Sequence, residues 1–352
     1  MDAKHSSSPD STDGPAARLL AWYDRHARDL PWRARPGEMP DPYRVWLSEV
    51  MLQQTTVAAV GPRFTAWVER WPDIASLAAA PDEAIMAAWA GLGYYARARN
   101  LVKAARAVVA EHGGQFPATE AGLRALPGLG AYTAAAVAAI AFGERAVVVD
   151  ANVERVVARL FAIATPLPAA RPAIRAATDR ITPQARAGDF AQAMMDLGSA
   201  ICTVKKPQCL LCPLAVDCRA RVEGIADTLP AKAPRKERPS RHGTAFWIEQ
   251  EGQVWLVRRP AKGMLGGMRA LPTGPWEDER PGLAGAPGQG PWVILNDTVV
   301  HGFTHFGLEL ALAKSEGEPD DSAAGEWWPV ADLETAGLPT VFARAADRLK
   351  RV

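Results

Sequence analysis

Apolar residues recur at spacings of three and four from Ala16 to about Asp227, the period of helices that each bury one face. Val153, Val156, Val157, Leu160 and Phe161 form one such face, and Ala-rich stretches run between the stripes. Asp41 and Pro42 mark one helix start, a capping side chain followed by a residue suited to the first helical position. The texture changes after Cys218. The segment DTLPAKAPRKERPSRHG carries three prolines and several cations and has little to pack, which predicts an exposed linker over residues 228–242. Beyond it, short runs such as TAFWI, VWLVRR and PWVIL alternate with Gly, Pro and Asp clusters, the pattern of strands and turns. Residues 1–15 are rich in Ser, Asp, Gly and Pro, too polar to bury, and predict a disordered tail. The chain therefore reads as a mainly α domain over 16–227 and a smaller α+β domain over 243–352.

Composition changes this picture little, because 48% apolar and 22% charged residues are ordinary for a globular chain of 352 residues. Forty Lys and Arg against thirty-nine Asp and Glu leave a net charge of +1, so any DNA-binding surface has to be local. No run of eighteen apolar residues occurs, and the opening MDAKHSSSPDSTDGPA lacks the apolar core of a signal peptide. The expectation is a soluble cytoplasmic protein with no membrane partner.

Candidate chemistry is concentrated at a few places. The four cysteines, Cys202, Cys209, Cys212 and Cys218, are too few for a disulfide framework, and their C-x6-C-x2-C-x5-C spacing lets one loop wrap a single centre. Tetrahedral zinc and a four-iron, four-sulfur cluster both accept four thiolates, and ligand type leaves both open. Around them, Thr203 to Arg241 holds nine Lys or Arg against four Asp or Glu, which suits phosphate contact and equally a solvated surface. In LPGLGAYTA, Leu126 to Ala134, Gly128 and Gly130 permit a tight turn between two helices, whose backbone amides can face a phosphate or simply connect the helices. Asp150, in VVVDANVERV, stands at a helix start, where one carboxylate oxygen can cap an amide while the other faces a substrate. Glu49 lies in DPYRVWLSEVMLQQTTV among Trp46, Leu47, Val50, Met51 and Leu52. It is either an exposed helix glutamate or a buried one whose acid form is favoured by desolvation.

PWR at Pro31 to Arg33, SEVMLQQT at Ser48 to Thr55, GLGYYARARNL at Gly91 to Leu101, LPGLGAYTA and the cysteine loop occur in the order seen in the MutY-type adenine DNA glycosylases, a branch of the endonuclease III superfamily. The chain resembles that family over nearly the whole N-terminal domain. The resemblance implies a helix-hairpin-helix glycosylase domain with one [4Fe-4S] cluster on the four cysteines. It implies double-stranded DNA with adenine opposite 8-oxoguanine or guanine as the partner, action as a monomer, and a place in the bacterial cytoplasm, at the nucleoid when on DNA. By the same resemblance Glu49 is the general acid and base, Asp150 the carboxylate at the sugar, and Tyr132 and Asn152 their supporting groups. Trp32, Arg33, Leu52 and Val57 fall at substrate-contacting positions, Gly128 and Gly130 form the backbone grip, and Gln192 in FAQAMMDLG contacts the flipped adenine. Gln54 and Tyr94 enter the base stack, offsetting part of an unstacking cost on the order of a few kcal/mol per step. Read without the family, Tyr94 and Tyr95 would be a buried aromatic pair. Relatives with lyase activity carry a lysine where this chain has Tyr132, and a phenol cannot form an imine, so the implied enzyme is monofunctional.

GMLGGMRALP, Gly263 to Pro272, and VVHGFTHFGLEL resemble more loosely the MutT-like domain attached to this family. No long Glu-rich Nudix box that would hold magnesium is evident, so the domain is expected to recognise and not to catalyse. Phe303, Thr304 and His305 stand where the family has a Phe-Ser-His loop that probes the base opposite adenine, and threonine keeps the hydroxyl. Read alone, Phe303 is a core residue and His305 a surface one. Three other classes compete. An endonuclease III-like lyase for oxidised pyrimidines is opposed by Tyr132, a non-catalytic iron–sulfur DNA-binding protein by the Glu49 and Asp150 pairing, and a nucleotide pyrophosphatase by the missing metal box.

Overall fold

Several helices start where the sequence supplies a proline or a capping oxygen. In the computed structural model, which describes residues 13–35, 37–89, 91–234, 238–260, 263–303, 305–320 and 324–351, α1 (Pro15–His26) opens on a proline. The expected tail thus ends one residue early, because Pro15 lacks the N–H that a first helical position leaves unpaired; residues 1–12 lie outside the described residues. Asp41 caps α2 (Pro42–Met51) by accepting from Tyr43 N at 2.8 Å, and Thr56 caps α3 (Val57–Arg70). Asp73 and Ser76 form a reciprocal capping box at α4 (Ile74–Ala79), which α5 (Asp82–Ala88) and α6 (Ala96–His112) follow. Then come α7 (Glu120–Ala125), α8 (Ala131–Phe142), α9 (Ala151–Leu160), α10 (Arg171–Ile181), α11 (Ala187–Ala200) and α12 (Arg219–Val222).

The chain divides into two compact units, Met1–Ile85 with Ala96–Pro234, and Met86–Tyr95 with Arg235–Val352. In the first, the apolar face of α9 predicted by period packs with Leu19 and Trp22 of α1, Ile174 of α10 and Phe190, Met194 and Leu197 of α11. Helix α8 is buried along nearly its whole length, and its alanines admit close neighbours: a Cβ on Gly188 of α11 would sit 2.4 Å from the Ala139 carbonyl oxygen. Helices α2 and α11 both pack on it.

The expected linker of 228–242 is shorter in the structure. Leu229 is buried, Leu167 N donates to Ala231 O at 2.8 Å, and Ala233 N donates to Leu167 O at 3.3 Å, so backbone pairing ties this stretch to the helical unit. Its other end is already strand, since β1 (Ser240–Gln250) begins at Ser240. The second unit is a mixed sheet of β1, β2 (Gln253–Arg258), β3 (Arg269–Ala270), β4 (Val293–Gly302), β5 (Gly307–Ser315) and β6 (Glu326–Pro329), in the order β3-β2-β1-β5-β4 with β6 also on β2. β1 and β5 are parallel, from Ser240 opposite Gly307 to Ile248 opposite Ser315, and the other pairs are antiparallel. Helix α13 (Thr340–Leu349) buries Val341, Phe342, Ala345 and Leu349 in a core with Trp247, Leu256 and Leu310. Among the described residues no helix is long and apolar enough to cross a membrane.

Candidate active site and cysteine loop

Glu49 is on the face of α2 that packs against α8, and only 7% of it is exposed. Tyr132, in the first turn of α8, donates its hydroxyl to Glu49 Oε2 at 2.6 Å. Burial pushes the Glu49 carboxyl up to about 7; the Tyr132 hydroxyl and the Arg33 guanidinium pull it back, and the charge of Asp150 adds to the rise. The phenol of Tyr132 is itself held well above its ordinary range, by burial first and then by the neighbouring carboxylates, so it is a fixed donor. Asp150 caps α9 through Oδ1, which accepts from Val153 N at 2.7 Å, while Oδ2 accepts from Asn152 Nδ2 at 3.0 Å. Its carboxyl is raised by burial, against the pull of those same donors.

A cavity of about 50 Å³ opens beside Glu49. Trp32, Arg33, Leu52, Val57 and Gln192 line it with Glu49, so six of the residues singled out from sequence meet in one place. Asp150 and Asn152 stand outside this lining, at the start of α9. Sequence reasoning missed Arg28 and Met195, which also line the cavity, and Asp196 behind it. Asp196 is four residues after Gln192 and so on the same helical face, a spacing that could have flagged it.

The four cysteines line a second, smaller cavity. Cys202 follows α11, Cys209 opens a short 3-10 turn that Cys212 ends, and Cys218 stands at the start of α12. Among the described residues no three His, Cys, Asp or Glu side chains are gathered closely enough to grip a single ion. Arg159, 2% exposed, holds the loop: it donates to Cys202 Sγ at 3.3 Å, Thr203 O at 2.7 Å, Val204 O at 3.1 Å and Leu229 O at 3.0 Å. Arg155 donates to Cys202 O at 2.7 Å and to Asn152 Oδ1 at 2.8 Å, so hydrogen bonds run from the loop to Asp150. Both arginines interrupt the valine stripe of α9 at a spacing of four, a buried-cation signal visible in VERVVARLF.

Residues 47–180 match the family described as HhH-GPD superfamily base excision DNA repair protein, and residues 244–348 match the NUDIX domain. The adenine DNA glycosylase of Mycolicibacterium smegmatis is 41% identical over 218 residues, covering 62% of this chain and 73% of that protein. The chain belongs to the adenine DNA glycosylase family. The human adenine DNA glycosylase is 38% identical over 311 residues, 74% of this chain and 57% of that protein, so the chain spans somewhat more than half the length of this relative. A solved thermostable thymine-DNA glycosylase is similar in fold, with a TM-score of 0.53 and 29% identity, covering 59% of this chain and 95% of that one. One helical fold therefore carries glycosylases named for different bases, so the fold alone does not set the choice of base.

The other family positions are distributed unevenly. Gly128 serves the fold: its φ is +76°, and a Cβ there would come within 2.5 Å of the Asn100 side chain. Gly130 has an ordinary φ and nothing within 4 Å of where a Cβ would be, and no side chain caps α8 behind it. Gln54 and Tyr94 both hold left-handed backbone, with φ of 57° and 48°, a conformation that costs a non-glycine residue about 1–2 kcal/mol. Both are exposed, Tyr94 by 57%, so Tyr94 and Tyr95 are not a buried pair. Phe303 is not at a surface: it is buried among Trp276, Phe306 and His301, with ring centroids 4.7 to 5.7 Å away. The aromatic packing claims it as a core side chain, and His305 is exposed. Thr304 lies outside the described residues.

Proposed function

We propose that the chain is a monofunctional glycosylase that removes adenine paired with 8-oxoguanine or guanine in double-stranded DNA. The observation that carries this reading is a buried carboxyl, Glu49, raised to about 7 and held by Tyr132 at the wall of a cavity that Gln192 shares. Breaking a purine N-glycosidic bond leaves an electron pair on the base and positive charge on the sugar, which calls for a proton donor on one side and an anion on the other. Glu49 gives its proton to N7 as the C1′–N9 bond breaks and its electrons pass to adenine. Asp150 offers its negative charge to the sugar cation. Water then adds hydroxide at C1′, and its second proton returns to Glu49. Uncapped amides of α8 beside Gly130 suit a phosphate, and Gln54 and Tyr94 suit insertion into the duplex. His305, with Thr304, would meet the base opposite adenine.

The four cysteines of one loop line one cavity, and a [4Fe-4S] cluster accepts four thiolates, which supports the cluster implied by the family resemblance. Cys202, Cys209, Cys212 and Cys218 would hold it. Bound there, it would crosslink the loop, while Arg155 and Arg159 carry the loop's position to α9.

Single-turnover release from duplexes holding adenine opposite 8-oxoguanine, adenine opposite guanine, or thymine glycol opposite adenine tests the reading. Adenine is expected from the first two without prompt strand scission; thymine glycol excision with scission would move the chain to the lyases. Borohydride is expected to trap no efficient enzyme–DNA adduct, since Tyr132 is a phenol. Asp150→Asn and Asp150→Ala are both expected to lose excision, but only the alanine variant loses the α9 cap, with about 1 kcal/mol less unfolding free energy in urea. Equal stability of the two would mean that the cap contributes nothing.

A further inference from the structure

The segment from Arg28 to Arg33 has no regular secondary structure, yet it supplies Arg28, Trp32 and Arg33 to the cavity wall. Its polar ties converge on one side chain. Asp196 Oδ1 accepts from Arg28 Nε at 2.5 Å and from Arg33 Nη2 at 2.8 Å, and Oδ2 accepts from Arg33 Nη1 at 2.6 Å and from Arg28 N at 3.3 Å. Asp196 is 1% exposed and sits one turn beyond Gln192 on α11. A second tie, Arg44 Nη2 to Pro31 O at 3.2 Å, is exposed and secures backbone alone. The bidentate grip fixes the plane of the Arg33 guanidinium, and Tyr23 stacks over it at 5.9 Å.

We propose that Asp196 is a positioning residue of the base cavity, whose buried carboxylate clamps Arg28 and Arg33 so that their donors face the acceptor nitrogens of a purine beside Glu49. It also balances charge. Two guanidiniums and one carboxylate leave a single net positive charge near Glu49; without Asp196 there would be two. The other groups facing Glu49 are Tyr132 from α8 and Asp150 from the start of α9. A second uncompensated cation favours the Glu49 carboxylate, which cannot donate.

This inference rests on the adenine-excision reading, and the wild-type full chain in its iron-loaded form is measured first. No adenine release by the wild type would overturn both. With an active wild type, Asp196→Asn is expected to release adenine roughly 10–100-fold more slowly. Its alkaline limb in the pH–rate profile should move down by about one pH unit, at unchanged iron content. A merely structural role would lower the rate without moving that limb. Wild-type rate and limb together would overturn the assignment, as would a slowed rate with an unmoved limb. Should Asp196→Asn fail to fold, Arg33→Lys keeps the charge but not the fork. It is expected to lose rate with its limb in place, and wild-type excision by that variant would overturn the proposal.

Discussion

Glu49→Gln is expected to lower single-turnover adenine release by at least 10²–10⁴-fold, about the range attributed to a positioned general acid, while leaving affinity for the mispaired duplex in place. The amide has the same shape and can still accept from the Tyr132 hydroxyl, so cavity and helix packing are preserved. What disappears is the proton. In the wild type that proton is present in half the molecules near pH 7 and is lost as the pH rises, so excision should decline through that range. The same carboxyl makes a stability prediction of opposite sign. Its folded value of about 7 lies above its ordinary 4.5, so the folded state is favoured while Glu49 is protonated, and that contribution is lost as pH rises through 7. Glutamine never ionises. The variant should therefore match the wild type below pH 4.5 and exceed it above pH 7, by an amount on the order of 3 kcal/mol at most. Urea unfolding at pH 6 and pH 8.5 reads the difference directly: the gap should widen with pH, and a constant gap would mean that Glu49 is solvated in the folded protein.

Arg159→Leu should be the most damaging single change to the cysteine loop. The guanidinium is nearly inaccessible and serves the carbonyls of Cys202, Thr203, Val204 and Leu229 together with the Cys202 sulfur. Leucine fills part of the volume but satisfies none of these acceptors, and stripping donors from a buried network costs about 3–5 kcal/mol. Iron and sulfide per protein are expected to fall, with new protease cleavage between Cys202 and Cys218, while the second unit's sheet remains folded. Arg159→Lys keeps the charge without the fork and should fall between the two. Full iron content in the leucine variant would show that the cysteines organise the loop unaided.

Much of the candidate site was legible in the chain, and the legible part was local. Asp150 announces itself as a cap because the residues it serves are two and three positions away, and Asp41 does so for α2. The cysteine spacing lets four thiolates share one loop for the same reason. Glu49 was ambiguous, because its state depends on α8, which brings Tyr132 from 83 positions downstream. Asp196 was invisible as a clamp, since Arg28 and Arg33 reach it across more than 160 residues. The two hairpin glycines look alike in sequence, and only the approach of Asn100 separates Gly128, which the fold requires, from Gly130, which it leaves open.

Phe303 shows the reverse case, in which a motif suggested contact with DNA and packing gave the ring to the core. By itself the sequence determined where the capped helices α2 and α9 begin, how many thiolates share a loop, and which residues could serve as acid, anion and base contact. These follow from period, caps and spacing, all of them interactions over a few residues. Tertiary structure decided which carboxyl is buried enough to keep a proton near neutrality, which arginines share one counter-ion, and which aromatic is exposed, because desolvation and charge pairing are set by what distant segments place around a group.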